Sequence, residues 1–271
     1  MELAHLNNIN TKLKKAKGKN KEYIDEIVEK YDQWIQKTNA LKNKPDDQAV
    51  KEKVDALIEY KTFIDQPKFK KEKDNEYGWT SQSKLHSTVL EEFMCHLFKD
   101  LKIIQNNIFE IGPTKAYSNL FFAPKNIKIF EKKDGLMVNE KDQDFAIAKK
   151  IVIEIGNEKK IINIPIVSIE NKTYLDKTML EGSIATASKI KSGNPYCLFF
   201  VVCETYEVSK ETDPVYSDID EIYCLRKSTD SKRDAPINSD LILELFNKVK
   251  NHLNSTWSDV EGKIESGKII G

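Results

Sequence analysis

The sequence predicts an α/β (α+β) fold: a central mixed β-sheet flanked by helices, with an N-terminal helical extension. Three observations predict it. Apolar residues recur at helical spacing as far as residue 101, the period shortens to that of strands beyond residue 105, and helical stretches separate the later strands. With 271 residues, 39% of them hydrophobic, the chain can fill one sizeable core.

The elements follow in order. Six lysines and no acid between Thr11 and Lys21 suggest a basic arm or the frayed start of a helix. Ile24, Ile27, Val28, Tyr31, Trp34 and Ile35 share one helical face, and Val50, Val54, Leu57, Ile58 and Ile64 share a second. Between them Pro45, Asp46 and Asp47 open the second helix, which gives a helical hairpin. A charged stretch with Pro67 ends in Tyr77-Gly78-Trp79 and reads as a loop. The expected division is therefore 1–75 and 76–271. A third helix over Ser83 to Leu101 buries Val89, Leu90, Phe93, Met94, Leu97 and Phe98. Strands are expected at Asn126 to Phe130, Asp144 to Ile155, Ile161 to Lys172, Tyr196 to Tyr206 and Ile219 to Leu225. Helices are expected at Thr178 to Lys191 and Leu241 to Leu253.

Composition excludes several classes. The longest apolar run, Tyr196 to Cys203, is too short to span a bilayer. No secretory signal is evident, so a cytoplasmic protein without membrane contact is expected. Cys95, Cys197, Cys203 and Cys224 form no C-x-x-C pair and the four histidines are scattered, so neither a zinc site nor a disulfide framework is expected. Net charge is zero, with 43 basic and 43 acidic residues, which leaves a nucleic-acid partner open.

The chemistry concentrates in Ile161 to Lys172, an apolar strand that ends in charge. Residues i and i+2 of a strand share a face roughly 7 Å apart. Glu170 and Lys172 therefore point the same way, and Asn171 points to the other side. A carboxylate there can hold a divalent cation, and an ammonium can orient water or offset charge at phosphorus. Glu-x-Lys occurs five times, at Glu59, Glu131, Glu158, Glu170 and Glu261, but only Glu170 and Lys172 close an apolar strand. The other reading of the triplet is an exposed ion pair. Asp144 stands at the mouth of the preceding strand, and a hairpin turning at residues 156–160 can return it beside Glu170. Two converging carboxylates suit Mg2+. Asp142 competes for that role. Glu91, on the third helix, lies nearer the edge of the apolar stripe than Glu92 and can reach Lys172.

Helix glutamate, aspartate and Glu-x-Lys together resemble the PD-(D/E)xK nuclease superfamily. The stretch Ile164 to Glu181, with Leu90-Glu91-Glu92-Phe93 and Gly193-Asn194-Pro195-Tyr196, is similar to type II restriction endonucleases of the group that includes DdeI and BbvCI. The resemblance covers residues 79 to about 226. It implies a restriction-endonuclease-like core and Mg2+-dependent cleavage of double-stranded DNA to 5′-phosphate and 3′-hydroxyl ends. It also implies Asp144, Glu170 and the Asn171 carbonyl as metal ligands, Lys172 acting on the attacking water, and Glu91 as the supporting acid. A homodimer or a paired nuclease subunit is the implied assembly. The sequence has Gln143-Asp144 where the superfamily motif has Pro-Asp, which keeps Asp142 in play.

Arg226 and Arg233 are the only arginines. They lie with Lys227 and Lys232 in one segment after the last strand, and arginine is the commonest specific reader of guanine. This segment is expected to contact DNA, with a solvated charged loop as the other reading. The rival functions are a repair or recombination nuclease of the same superfamily and a non-catalytic DNA-binding module.

Overall fold

The computed structural model describes residues 3–269 except 45, 72–74, 81–82, 107, 157 and 230–234. The N-terminal helices are α1 (Ala4–Lys15), α2 (Lys19–Ala40) and α3 (Asp47–Ile64), followed by α4 (Lys84–Phe98) and the single turn α5 (Lys102–Gln105). The sheet begins with β1 (Phe109–Phe122), and a single helical turn, α6 (Ile127–Phe130), links it to β2 (Leu136–Ile155). Then come β3 (Glu158–Leu175), α7 (Lys177–Gly193), β4 (Leu198–Tyr206), β5 (Glu221–Cys224), α8 (Ser239–Asn254) and α9 (Val260–Ser266). Among the described residues no helix is long and apolar enough to cross a membrane.

The sheet has the order β1-β2-β3-β4-β5. Its first three strands are antiparallel and its last two join in parallel, so it is mixed, as expected. α7 is the crossover between the parallel neighbours β3 and β4. β4 is buried on both faces. Phe200 and Val202 face a core shared with α1–α4 and α8, while Phe199, Val201 and Cys203 face a second core under α7. The first core runs from Ile9 through Trp34, Leu57 and Phe93 to Phe145, Ile169 and Phe246. The N-terminal helices thus share one hydrophobic core with the sheet.

β2 is long because it serves two neighbours, pairing with β1 over Leu136 to Lys149 and with β3 over Phe145 to Ile155. Register shifts at Gly112/Thr114, Tyr117/Asn119 and Ile147/Ala148 bend the ribbon. The bend brings its far ends together, where the Gly135 N–H donates to Glu158 Oε1 at 3.3 Å.

Several expectations change. The basic stretch Thr11 to Lys21 is the end of α1, a short break and the start of α2; ahead of it α1 is docked, burying His5 and Ile9, and the Leu6 N–H donates to Glu92 Oε2 at 2.9 Å. The strand expected at Asn126 to Phe130 is the turn α6, because the Asn126 side chain accepts from Ile129 N at 3.0 Å and caps a helical turn. β1 has no counterpart among the expected strands, since Gly112 and Pro113 interrupt its pattern. β2 starts at Leu136 rather than at Asp144. The helical hairpin is present as α2 and α3, with Asp46 capping α3 through Ala49 N at 2.9 Å; Pro45 lies outside the described residues.

Candidate active site

The site forms where β2 and β3 diverge from their last paired residues, Phe145 and Ile169. One residue further on, Asp144 and Glu170 lie side by side. The Asn171 N–H donates to Asp144 Oδ2 at 2.8 Å, which fixes that carboxylate against β3. Ser183 of α7 donates its hydroxyl to Glu170 Oε2 at 2.6 Å, which fixes the second. Lys172 Nζ lies 3.5 Å from Asp144 Oδ2 and 3.4 Å from Glu170 Oε2. Asp144, Asn171 and Lys172 line a cleft of about 320 Å³ together with Ser87, Glu91, Thr173, Tyr174 and Met179, and Glu170 sits behind Lys172.

The electrostatics follow from this crowding. Burial opposes the charge on Lys172, but the carboxylates of Asp144 and Glu170 outweigh it and hold the lysine above its ordinary value. Lys172 is therefore a firmly charged ammonium. Burial and the neighbouring Asp144 carboxylate push Glu91 up to about 8, against a smaller pull from Lys172. Glu92 is different. It is fully buried on the face of α4 turned to the N-terminal helices, where Tyr31 Oη donates to it at 2.7 Å, Leu6 N donates at 2.9 Å and His96 Nε2 lies 3.6 Å away. Burial raises its carboxyl, and these partners outweigh burial and hold it low. Glu91 thus faces the cleft and Glu92 ties α1 and α2 to α4. Asp142 pairs across from Lys115 on β1 and does not line the cleft.

The Bpu10I restriction endonuclease family matches residues 82–233, more than half of the chain and all of the cleft. The chain belongs to that family. Members of the Bpu10I family are type II restriction endonucleases, so the chain is a DNA phosphodiester hydrolase by membership. No curated protein matches the chain by sequence. Among solved structures, a chain of the native BbvCI A2B2 tetramer has the same fold, with a TM-score of 0.73 at 19% identity, covering 94% of this chain and 98% of that one.

The residues fit a hard divalent cation. Asp144 and Glu170 present oxygen ligands on adjacent strands, both against one ammonium. Asn171 adds a backbone carbonyl on the same strand, next to Glu170. Among the described residues no cluster of three or more His, Cys, Asp or Glu could hold a metal by itself. Two carboxylates, a carbonyl and retained waters are the pattern Mg2+ accepts.

The second sequence-predicted group disperses. Arg226 turns inward, and its side chain is 9% exposed. Its Nε and Nη2 donate to Glu204 Oε2 at 2.9 and 2.8 Å, and its Nη1 donates to the Ala235 carbonyl at 2.6 Å. Asp65 Oδ2 is 3.4 Å from Nη2, and buried Lys61 closes the group, 2.8 Å from Glu204 and 3.1 Å from Asp65. Arg226, expected above to contact DNA, is engaged instead with Glu204, a buried carboxylate that no solvent reaches. Lys227 has a left-handed φ of 46°. Lys232 and Arg233 lie outside the described residues. Sequence reasoning assigned no site role to Ser183; the packing of α7 against β3 brings its hydroxyl to Glu170.

Proposed function

We propose that Asp144, Glu170 and Lys172 form the catalytic centre of a Mg2+-dependent type II restriction endonuclease that leaves 5′-phosphate and 3′-hydroxyl ends. One observation carries the reading: a single ammonium within 3.5 Å of two carboxylates on adjacent strands, in an open cleft. Asp144, Glu170 and the Asn171 carbonyl would hold the cation. Mg2+ when bound supplies charge neutralisation at the phosphate and eases ionisation of water.

The chain's own residues do the rest. The Asn171 N–H and the Ser183 hydroxyl keep the two carboxylates from turning away. Lys172, held charged, orients the attacking water and faces the charge that builds on phosphorus. Glu91, largely protonated near neutral pH in the metal-free protein, can donate a hydrogen bond at the cleft wall. The protein would work as one of a pair of subunits, because cutting both strands takes two such centres; the A2B2 assembly of BbvCI supports this. Incubation with plasmid and Mg2+ tests the reading. Discrete fragments are expected from the wild type and none from Lys172→Ala; a smear, or cutting that survives the substitution, would refute it.

A further inference from the structure

The link between β1 and β2 stands out on the surface. Every residue from Phe121 to Lys133 except Pro124 is exposed. The large apolar side chains there include Ile127 at 69%, Phe122 at 50% and Phe130 at 47% exposure, and Met137 beside them is at 47%. Lysines 125, 128, 132 and 133 are interspersed with them, and Glu131 is the only acid between Phe121 and Lys133. None of these four lysines makes an ion pair among the described residues. The arm is nevertheless built. Asn126 caps its helical turn, the Ala123 N–H donates to the Gly135 carbonyl at 2.8 Å, and Gly135 at φ 67° passes so close to Pro124 that a Cβ would lie 2.7 Å from its nitrogen.

A fixed, exposed, apolar patch of this kind marks an interaction surface. Its charge selects the partner. Lysine is depleted from protein–protein interface cores, whereas unpaired lysines beside apolar side chains suit a polyanion. Apolar wedges flanked by basic residues are how proteins enter a DNA groove. Met137 lies seven residues from Asp144 along β2, at most about 24 Å at strand rise. That separation is shorter than one turn of duplex, about 34 Å.

The structure assigns the arm 121–137 as a DNA-docking element, with Lys125, Lys128, Lys132 and Lys133 on phosphates and Ile127 and Phe130 in a groove. This rests on the reading of the protein as a DNA nuclease. It concerns affinity and placement, not the cleavage centre.

The test is anisotropy of a labelled mixed-sequence DNA duplex without Mg2+, across salt, with the full chain. Each phosphate that a lysine no longer neutralises lowers the salt slope by about 0.9. Lys128→Ala/Lys132→Ala/Lys133→Ala should lower the slope by about 2 to 3 and weaken binding at least ~10-fold at moderate salt. Ile127→Ser/Phe130→Ser should weaken binding with an unchanged slope. All five side chains are exposed, so unchanged circular dichroism is expected for both variants. Wild-type binding by both variants overturns the proposal. So does an apolar variant that falls from oligomer to monomer in light scattering while binding DNA normally, because the patch would then be a subunit interface. If the wild type binds through the arm yet never cleaves plasmid with Mg2+, the catalytic reading fails and the docking surface stands.

Discussion

The backbone N–H of Asn171 donates to the Asp144 carboxylate across 27 residues of sequence, at 2.8 Å. That bond turns two strand ends into one site, with Lys172 between the carboxylates. Removing the ammonium leaves two carboxylates facing each other. Lys172→Ala should therefore fold, bind DNA and lose roughly 10²- to 10⁴-fold in cleavage rate. Single-turnover plasmid cutting, read beside DNA affinity, checks this; equal losses in both would contradict it.

The choice between neighbouring acids is testable in the same assay. Asp142→Asn should cleave like the wild type, since Asp142 lies across from Lys115 on β1 and away from the cleft. Asp144→Asn should abolish Mg2+-dependent cutting. A reversal of the two results would exchange their roles.

Glu91 and Glu92 should differ in kind. Glu92→Gln breaks a buried site with three partners and is expected to cost about 1–3 kcal/mol of stability, read by urea denaturation. Glu91→Gln should lower cleavage and leave the fold intact.

Glu91 also sets a pH dependence. Its folded carboxyl titrates near 8, against an ordinary value of 4.5. The folded state therefore prefers the protonated group. The stability it contributes is complete below about 4.5 and is lost as pH rises through about 8. Thermal melts of metal-free protein should fall over that window, and Glu91→Gln should flatten the fall. An unchanged slope in the variant would place the titration elsewhere.

Arg226→Ala should act on stability. It strands Glu204, which is fully buried, with Lys61 as its remaining partner. A loss of roughly 3–5 kcal/mol is expected, with DNA affinity per folded molecule unchanged. A DNA defect at full stability would restore the surface role.

The cluster of Asp144, Glu170 and Lys172 is legible in the sequence because strand alternation is a local property. Glu170 and Lys172 are two residues apart, and their shared face follows from the pleat. Asp144 is legible because a hairpin returns it to the same end. Other features depend on long-range packing. The bends at Gly112 and Ile147 that curl β2 have no period to read. Ile127 to Phe130 carries strand-forming residues, yet Asn126 caps it into a turn. Ser183 reads as small and polar; only the crossover of α7 above β3 reveals that it holds Glu170. Arg226 reads as a surface cation because its buried partners, Glu204, Lys61 and Asp65, are scattered along the chain.

The inward turn of Arg226 limits how this polypeptide can read bases. A guanidinium fork locked on Glu204 cannot span the O6 and N7 edge of a guanine, which leaves Arg233 as the chain's one other fork. Any discrimination among base pairs by this chain would then rest on Arg233 or on amides, hydroxyls and single-point ammonium contacts. A recognition site built on such groups draws its selectivity from several modest contacts rather than from one dominant anchor.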